Sequence, residues 1–146
     1  MNDADSADNR PEYRFPDSRS GLTRKIECGL DIYLTVNPLP DGSGPGEVFV
    51  KLGKQGTTVS GLMNALAVTI SAALQRGVPW NELRDKFLDS TFEPRTDEYS
   101  SLVDAVAKNI DEMMQELREQ LDDQTGQLHL FEEGGDNEPA ADEGAA

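Results

Sequence analysis

Residues 25–36, KIECGLDIYLTV, place an apolar side chain on every even position: Ile26, Cys28, Leu30, Ile32, Leu34 and Val36. Glu27, Asp31 and Thr35 lie between them. That alternation predicts one extended strand over residues 26–36, with one face buried and the other wet. It commits the chain to a sheet, and a sheet with one apolar face has to be covered. Residues 37–46, NPLPDGSGPG, are dense in Pro and Gly and predict a loop. Residues 47–52, EVFVKL, alternate again at Val48, Val50 and Leu52. The two runs together predict an antiparallel pair with a long connection.

The chain beyond Leu52 supplies the cover. Thr58 is the expected N-cap of a first helix, with Val59, Leu62, Met63, Leu66, Ala67, Ile70 and Leu74 at helical spacing and Gly77 as the stop. Ala65, Val68 and Ala72 fill much of the other side, so this helix is expected to be the buried centre. PWNELRDKFLDS predicts a short second helix from Pro79, with Trp80, Leu83 and Phe87 on one face. A third is expected over residues 97–121, where Val103, Val106, Ile110, Met113 and Leu117 form an apolar stripe. The predicted class is α+β: a small antiparallel β-hairpin or sheet, order ββααα, packed with three helices. A two-stranded sheet is marginal alone. The third helix either packs on its own core or makes the seam of a homodimer.

Charge and complexity divide the chain into a flexible N-terminal arm (1–21), a domain (22–121) and a disordered acidic tail (122–146). The net charge is −15, from 28 acidic and 13 basic residues. That argues against nucleic acid as a direct ligand and against an anionic membrane surface. No run approaches the roughly 20 apolar residues of a spanning helix, and the N-terminus lacks the basic and apolar regions of a signal peptide. A cytoplasmic chain is expected. One cysteine and one histidine exclude an internal disulfide and a CxxC pair and speak against a metal centre, so no metal and no cofactor is expected. Arg10, Arg14, Arg19, Arg24 and Lys25 concentrate positive charge near the N-terminus, either to fold back on the acidic surface or to dock a larger partner.

RFPDSRSGLTRKIECGLDIYLTV, then GEVFVKLGKQGTTVSGLMNALAVTISAALQRGVPWNELRDKF and FEP, resemble the C-terminal domain of cobalamin-dependent (class II) ribonucleotide reductases, the TSCPD domain family. The likeness runs collinearly over residues 13–121. The Cys-Pro pair that names the family is missing; Thr91-Phe92-Glu93-Pro94 stands nearest to it. The redox cysteines that end the reductase, and its catalytic barrel, have no counterpart here. The resemblance implies a place in deoxyribonucleotide supply and carries over no catalytic residue.

Reductase chemistry needs a radical-carrying cysteine and two further thiols, which Cys28 alone cannot supply. On an apolar strand face it is expected to be an inert core thiol. Gly53, Lys54, Gly56, Thr57 and Thr58 precede a helix N-terminus, where backbone N–H groups can hold a phosphate. The alternative is a strand-to-helix turn, since P-loop spacing is absent. Gln127, Leu128, Leu130 and Phe131, with His129 between them, resemble the peptide by which bacterial replication proteins dock on the sliding clamp of DNA polymerase. There the Gln opens the motif and the Leu-Phe pair fills an apolar pocket; the alternative is that Leu128 and Phe131 cap the third helix.

The expected function is a standalone, non-catalytic TSCPD-type module linked to deoxyribonucleotide synthesis and DNA replication, docked on the sliding clamp through its tail. The alternatives are a subunit of a split ribonucleotide reductase, working with a separate catalytic chain, and a nucleotide-sensing regulator using residues 53–60.

Overall fold

The computed structural model describes the backbone of residues 11–133 and the side chains of residues 11–126. Three strands, β1 (Leu22–Glu27), β2 (Asp31–Pro38) and β3 (Pro45–Leu52), precede three helices, α1 (Thr58–Gln75), α2 (Trp80–Phe87) and α3 (Leu102–Glu133). The strands form one antiparallel sheet in the order β1-β2-β3. The class is α+β as expected, and the element order is βββααα.

The extra strand comes from inside the alternating run. Residues 26–36 are not one strand: the chain turns at Gly29, whose φ is 70°. Ile26 pairs with Ile32, Arg24 with Leu34 and Leu22 with Val36. Even residues therefore face even residues across the hairpin, and the apolar alternation runs through the turn unbroken. A side chain at position 29 would also meet Pro94 at 2.7 Å, so the turn needs glycine twice over.

The even face carries the core. Ile32, Leu34, Val36 and Val48 are buried under Met63, Ala67, Ile70 and Leu74 of α1 and Val106, Ile110, Met113 and Leu117 of α3. The α3 stripe is thus spent within the chain rather than on a seam between copies. Arg24 takes an inward position of β1, where its guanidinium donates to Asn109 at 3.2 Å, Glu112 at 2.9 Å and Glu116 at 2.9 Å on α3. Trp80, Leu83 and Phe87 of α2 pack at the rim of the core.

Thr57, one residue before the expected cap, closes the N-terminus of α1: its Oγ1 accepts from Ser60 N at 3.1 Å. α1 also seals the outer edge of β3. The Ser71 hydroxyl accepts from Val48 N at 2.9 Å and donates to Val48 O at 3.1 Å, while Gln75 donates to Gly46 O and Gln55 to Leu52 O. α3 starts five residues after the expected position 97, at Leu102, because residues 97–101 are held in a loop; it continues to Glu133. Ser101 and Asp104 explain the start. Ser101 Oγ accepts from Asp104 N at 3.0 Å and the Asp104 carboxylate accepts from Ser100 N at 3.0 Å, which resembles a capping box.

Residues 11–20 carry no helix or strand yet make defined contacts. Tyr13 N donates to Gln75 O at 2.7 Å, and the rings of Tyr13 and Phe15 meet edge to face at 5.0 Å. Arg19 makes a two-point ion pair with Glu47, 2.7 Å at each contact. The domain boundary expected at residue 22 leaves these contacts out.

Candidate functional site

α1 has two unlike sides. Met63, Ala67, Ile70 and Leu74 are buried, whereas Leu62 is 65% and Val68 61% exposed. Leu62 therefore does not join the core as its spacing suggested, and Leu66 is only partly buried. Thr58, Val59, Gly61, Asn64, Ala65, Thr69 and Ala72 are the other exposed residues of the helix. No charged residue occurs anywhere in the helix. Its 18 residues are long and apolar enough to cross a membrane by length and composition, contrary to the expectation for this chain. Here the buried stripe and the Ser71 bonds hold it on β3. The outer face of α1 carries no charge on a chain whose net charge is −15.

The glycine-rich turn lies at the N-terminal end of the same helix. An open cleft of about 710 Å³ brings together Gly53, Lys54 and Thr57 with Leu30, Glu27 and Asp31. Gly56 forms the turn at φ 79°. Thr58 is the first residue of α1 and does not line this cleft. The Thr57 hydroxyl is engaged in capping. An anion here would meet Lys54 and two carboxylates, so the charge balance opposes it.

A second cleft, about 460 Å³, lies between the β2–β3 connection, α2 and α3, with Trp80, Arg84, Asp111 and Arg118 in its wall. Sequence reasoning missed it because two of these residues come from α2 and two from α3, helices separated by a loop in sequence. Trp80 Nε1 donates to Asp111 at 2.7 Å and the guanidinium of Arg118 reaches the Gly42 and Ser43 carbonyls. Arg84 lies against Asp85 and Asp111. These cations are already partnered.

Cys28 is fully buried, with Sγ 3.8 Å from Pro94 O. Burial, and secondarily the negative charge of Asp104, push its pKa up, so the thiolate is suppressed. Among the described residues no group of His, Cys, Asp and Glu could hold a metal ion.

The motif residues Gln127, Leu128, Leu130 and Phe131 fall within the backbone of α3, and their side chains lie outside the described residues. Residues 118–126 immediately before them are exposed.

Vitamin B12-dependent ribonucleotide reductases are similar to this chain. The one from Streptantibioticus cattleyicolor is 43% identical over 82 residues, 56% of this chain and 14% of the relative. That from Rhodopirellula baltica is 42% identical over 82 residues, 56% of this chain and 8% of the relative. The Bradyrhizobium diazoefficiens reductase is 36% identical over 86 residues, 58% of this chain and 7% of the relative. The chain thus covers a small fraction of these relatives' length. No solved structure matches it. The TSCPD domain matches residues 10–114, which span the whole sheet, α1, α2 and the first part of α3, and the chain belongs to the TSCPD domain family.

Proposed function

We propose that these 146 residues act as a non-catalytic docking module in deoxyribonucleotide synthesis, binding a reductase-type catalytic chain through the outer face of α1. The observation that carries this is the uncharged helix with Leu62 and Val68 turned to solvent. It is supported by the reductases in which the similar segment is a minor part of a longer chain. The single buried thiol leaves reductase chemistry to the partner. Apolar side chains at the centre of an interface contribute most when fully desolvated.

The test uses the Streptantibioticus cattleyicolor reductase with its 82-residue similar segment removed. Calorimetry should show binding of the present chain in trans. Leu62→Asp with Val68→Asp should weaken it by at least tenfold, because each buries an unpaired carboxylate at the contact. No binding by the wild-type chain, or equal binding by the variant, ends this reading.

The motif at residues 127–131 favours a second contact, with the sliding clamp. It follows a helical stretch, residues 119–126, whose side chains are all exposed. A peptide of residues 126–133 should bind a bacterial clamp with an affinity on the order of 1 μM. Alanine at both Leu130 and Phe131 should weaken that by roughly 30-fold or more. Failure of the wild-type peptide to bind removes the clamp from the account.

A further inference from the structure

The cleft at Trp80 has the make-up of a small-molecule site. Its floor is apolar, with Leu39, Leu74, Val78 and Met114. Trp80 stands in the wall, and its one polar atom, Nε1, is taken by Asp111 at 2.7 Å. The indole is thereby fixed and offers an incoming molecule only apolar ring surface. The volume of about 460 Å³ falls within the span of sites that bury small organic ligands between mostly apolar walls and a few polar groups.

Among the described residues the wall carries three charges, Arg84, Asp111 and Arg118. Arg84 is neutralised by Asp85 at 3.1 Å and Asp111 at 3.7 Å. Arg118 differs. Its Nε and Nη2 donate to the carbonyls of Gly42 and Ser43 at 3.3 and 3.4 Å, and no carboxylate among the described residues pairs with it. A guanidinium has five N–H donors, so the two carbonyls hold Arg118 in place, leave its charge unbalanced and leave Nη1 unused. A held cation with spare donors beside an apolar cleft suits a carboxylate, the anion an arginine grips best. One unbalanced charge matches one negative charge.

Position 44 keeps the cleft open. Gly44 lines it, yet its backbone is not in the positive-φ region, and a Cβ there would meet only Trp80 Cβ, at 3.9 Å. Neither conformation nor packing calls for glycine, and a longer side chain here would enter the cleft beside Trp80. We propose that this cleft binds a small aromatic carboxylate, with its ring against Trp80 and its acid on Arg118. Leu62 and Val68 do not line the cleft, so this proposal and the docking role of α1 fail independently.

Trp80 is the only tryptophan in the chain, so its fluorescence reports on the cleft directly. Phenylacetate should change that emission saturably, with a dissociation constant on the order of 0.5 mM for a ligand of this size. Phenylacetamide, the neutral counterpart, should bind about fivefold more weakly, and acetate, which lacks the ring, should leave the emission unchanged. Phenyl phosphate, largely a dianion at neutral pH, should bind no more tightly than phenylacetate. Arg118→Gln should weaken phenylacetate by about fivefold and leave phenylacetamide as it was, which also shows that the variant is folded. Gly44→Leu should abolish binding of both. No binding of phenylacetate, equal binding of the acid and the amide, tighter binding of phenyl phosphate, a response to acetate alone, or unchanged binding by either variant overturns the proposal.

Discussion

At Asp104 three donors converge on one buried carboxylate: Asp89 N at 2.8 Å, Ser100 N at 3.0 Å and Lys108 Nζ at 2.8 Å. Burial raises its pKa, but the Lys108 hydrogen bond and the two backbone donors outweigh it and hold the carboxyl below its usual value. Asp104→Asn turns an acceptor into a donor against these groups and should cost about 3 kcal/mol at neutral pH. The native carboxyl titrates below the unfolded one. Its contribution is therefore present above about pH 4 and is lost as pH falls through the native value. Urea titrations should show the gap between wild type and Asp104→Asn closing in acid. Cys28 offers a simpler check: a thiol reagent should modify it only when the chain unfolds, so fast native-state labelling would place it outside the core. The thiol was legible from its parity on an apolar strand. Ser101-x-x-Asp104 was equally visible as a start signal, but the charges and turn residues after position 94 obscured where the helix began.

α1 shows why helical spacing overstates burial. Nearly every side of it is apolar, so spacing alone could not tell Ile70, which is 2% exposed, from Leu62, which is 65% exposed. Only contact with β3 separates them. Ile70→Ala should cost about 3 kcal/mol through the cavity it leaves, whereas Leu62→Ala should change unfolding by less than about 0.5 kcal/mol. Chemical denaturation of the two variants measures the contrast directly. The strands carry the complementary lesson. The alternation located the buried face correctly but could not reveal the hairpin, because pairing Ile26 with Ile32 keeps parity constant. Gly29 inside the run was the available sign. β1 stayed hidden beyond Ile26 because Arg24 occupies an inward position, and its three α3 partners are 85 to 92 residues away in sequence.

For the molecule as a whole, residues 13–19 of the arm before β1 pack onto the folded unit. Glu47 is largely buried beside Asn37, whose Nδ2 donates to it at 2.8 Å, and Arg19 supplies its balancing charge. Phe15 and Leu39 close over Gly46, where a Cβ would come within 2.7 Å of the Phe15 ring. Removing residues 1–20 should cost about 2 to 3 kcal/mol, with Arg19→Ala accounting for most of it by stranding the carboxylate. Thermal melts of both variants test this; an unchanged melting temperature would make the arm an appendage. Composition and family likeness made the α+β domain legible, while the arm's docking rests on contacts between residues 28 positions apart that no local pattern announces.

The Ser71 hydroxyl on Val48 has a consequence for how copies of the molecule can join end to end. An open-ended filament built by strand addition needs two free edges on every subunit, one to offer and one to accept. β3 is plugged by Ser71, Gln75 and Gln55, while β1 has no backbone hydrogen bond beyond its pairing with β2 and the turn at Cys28 among the described residues. A subunit with one free edge can join a single neighbour there and then stops, so growth by that route ends at a pair and fibrous stacking is closed off.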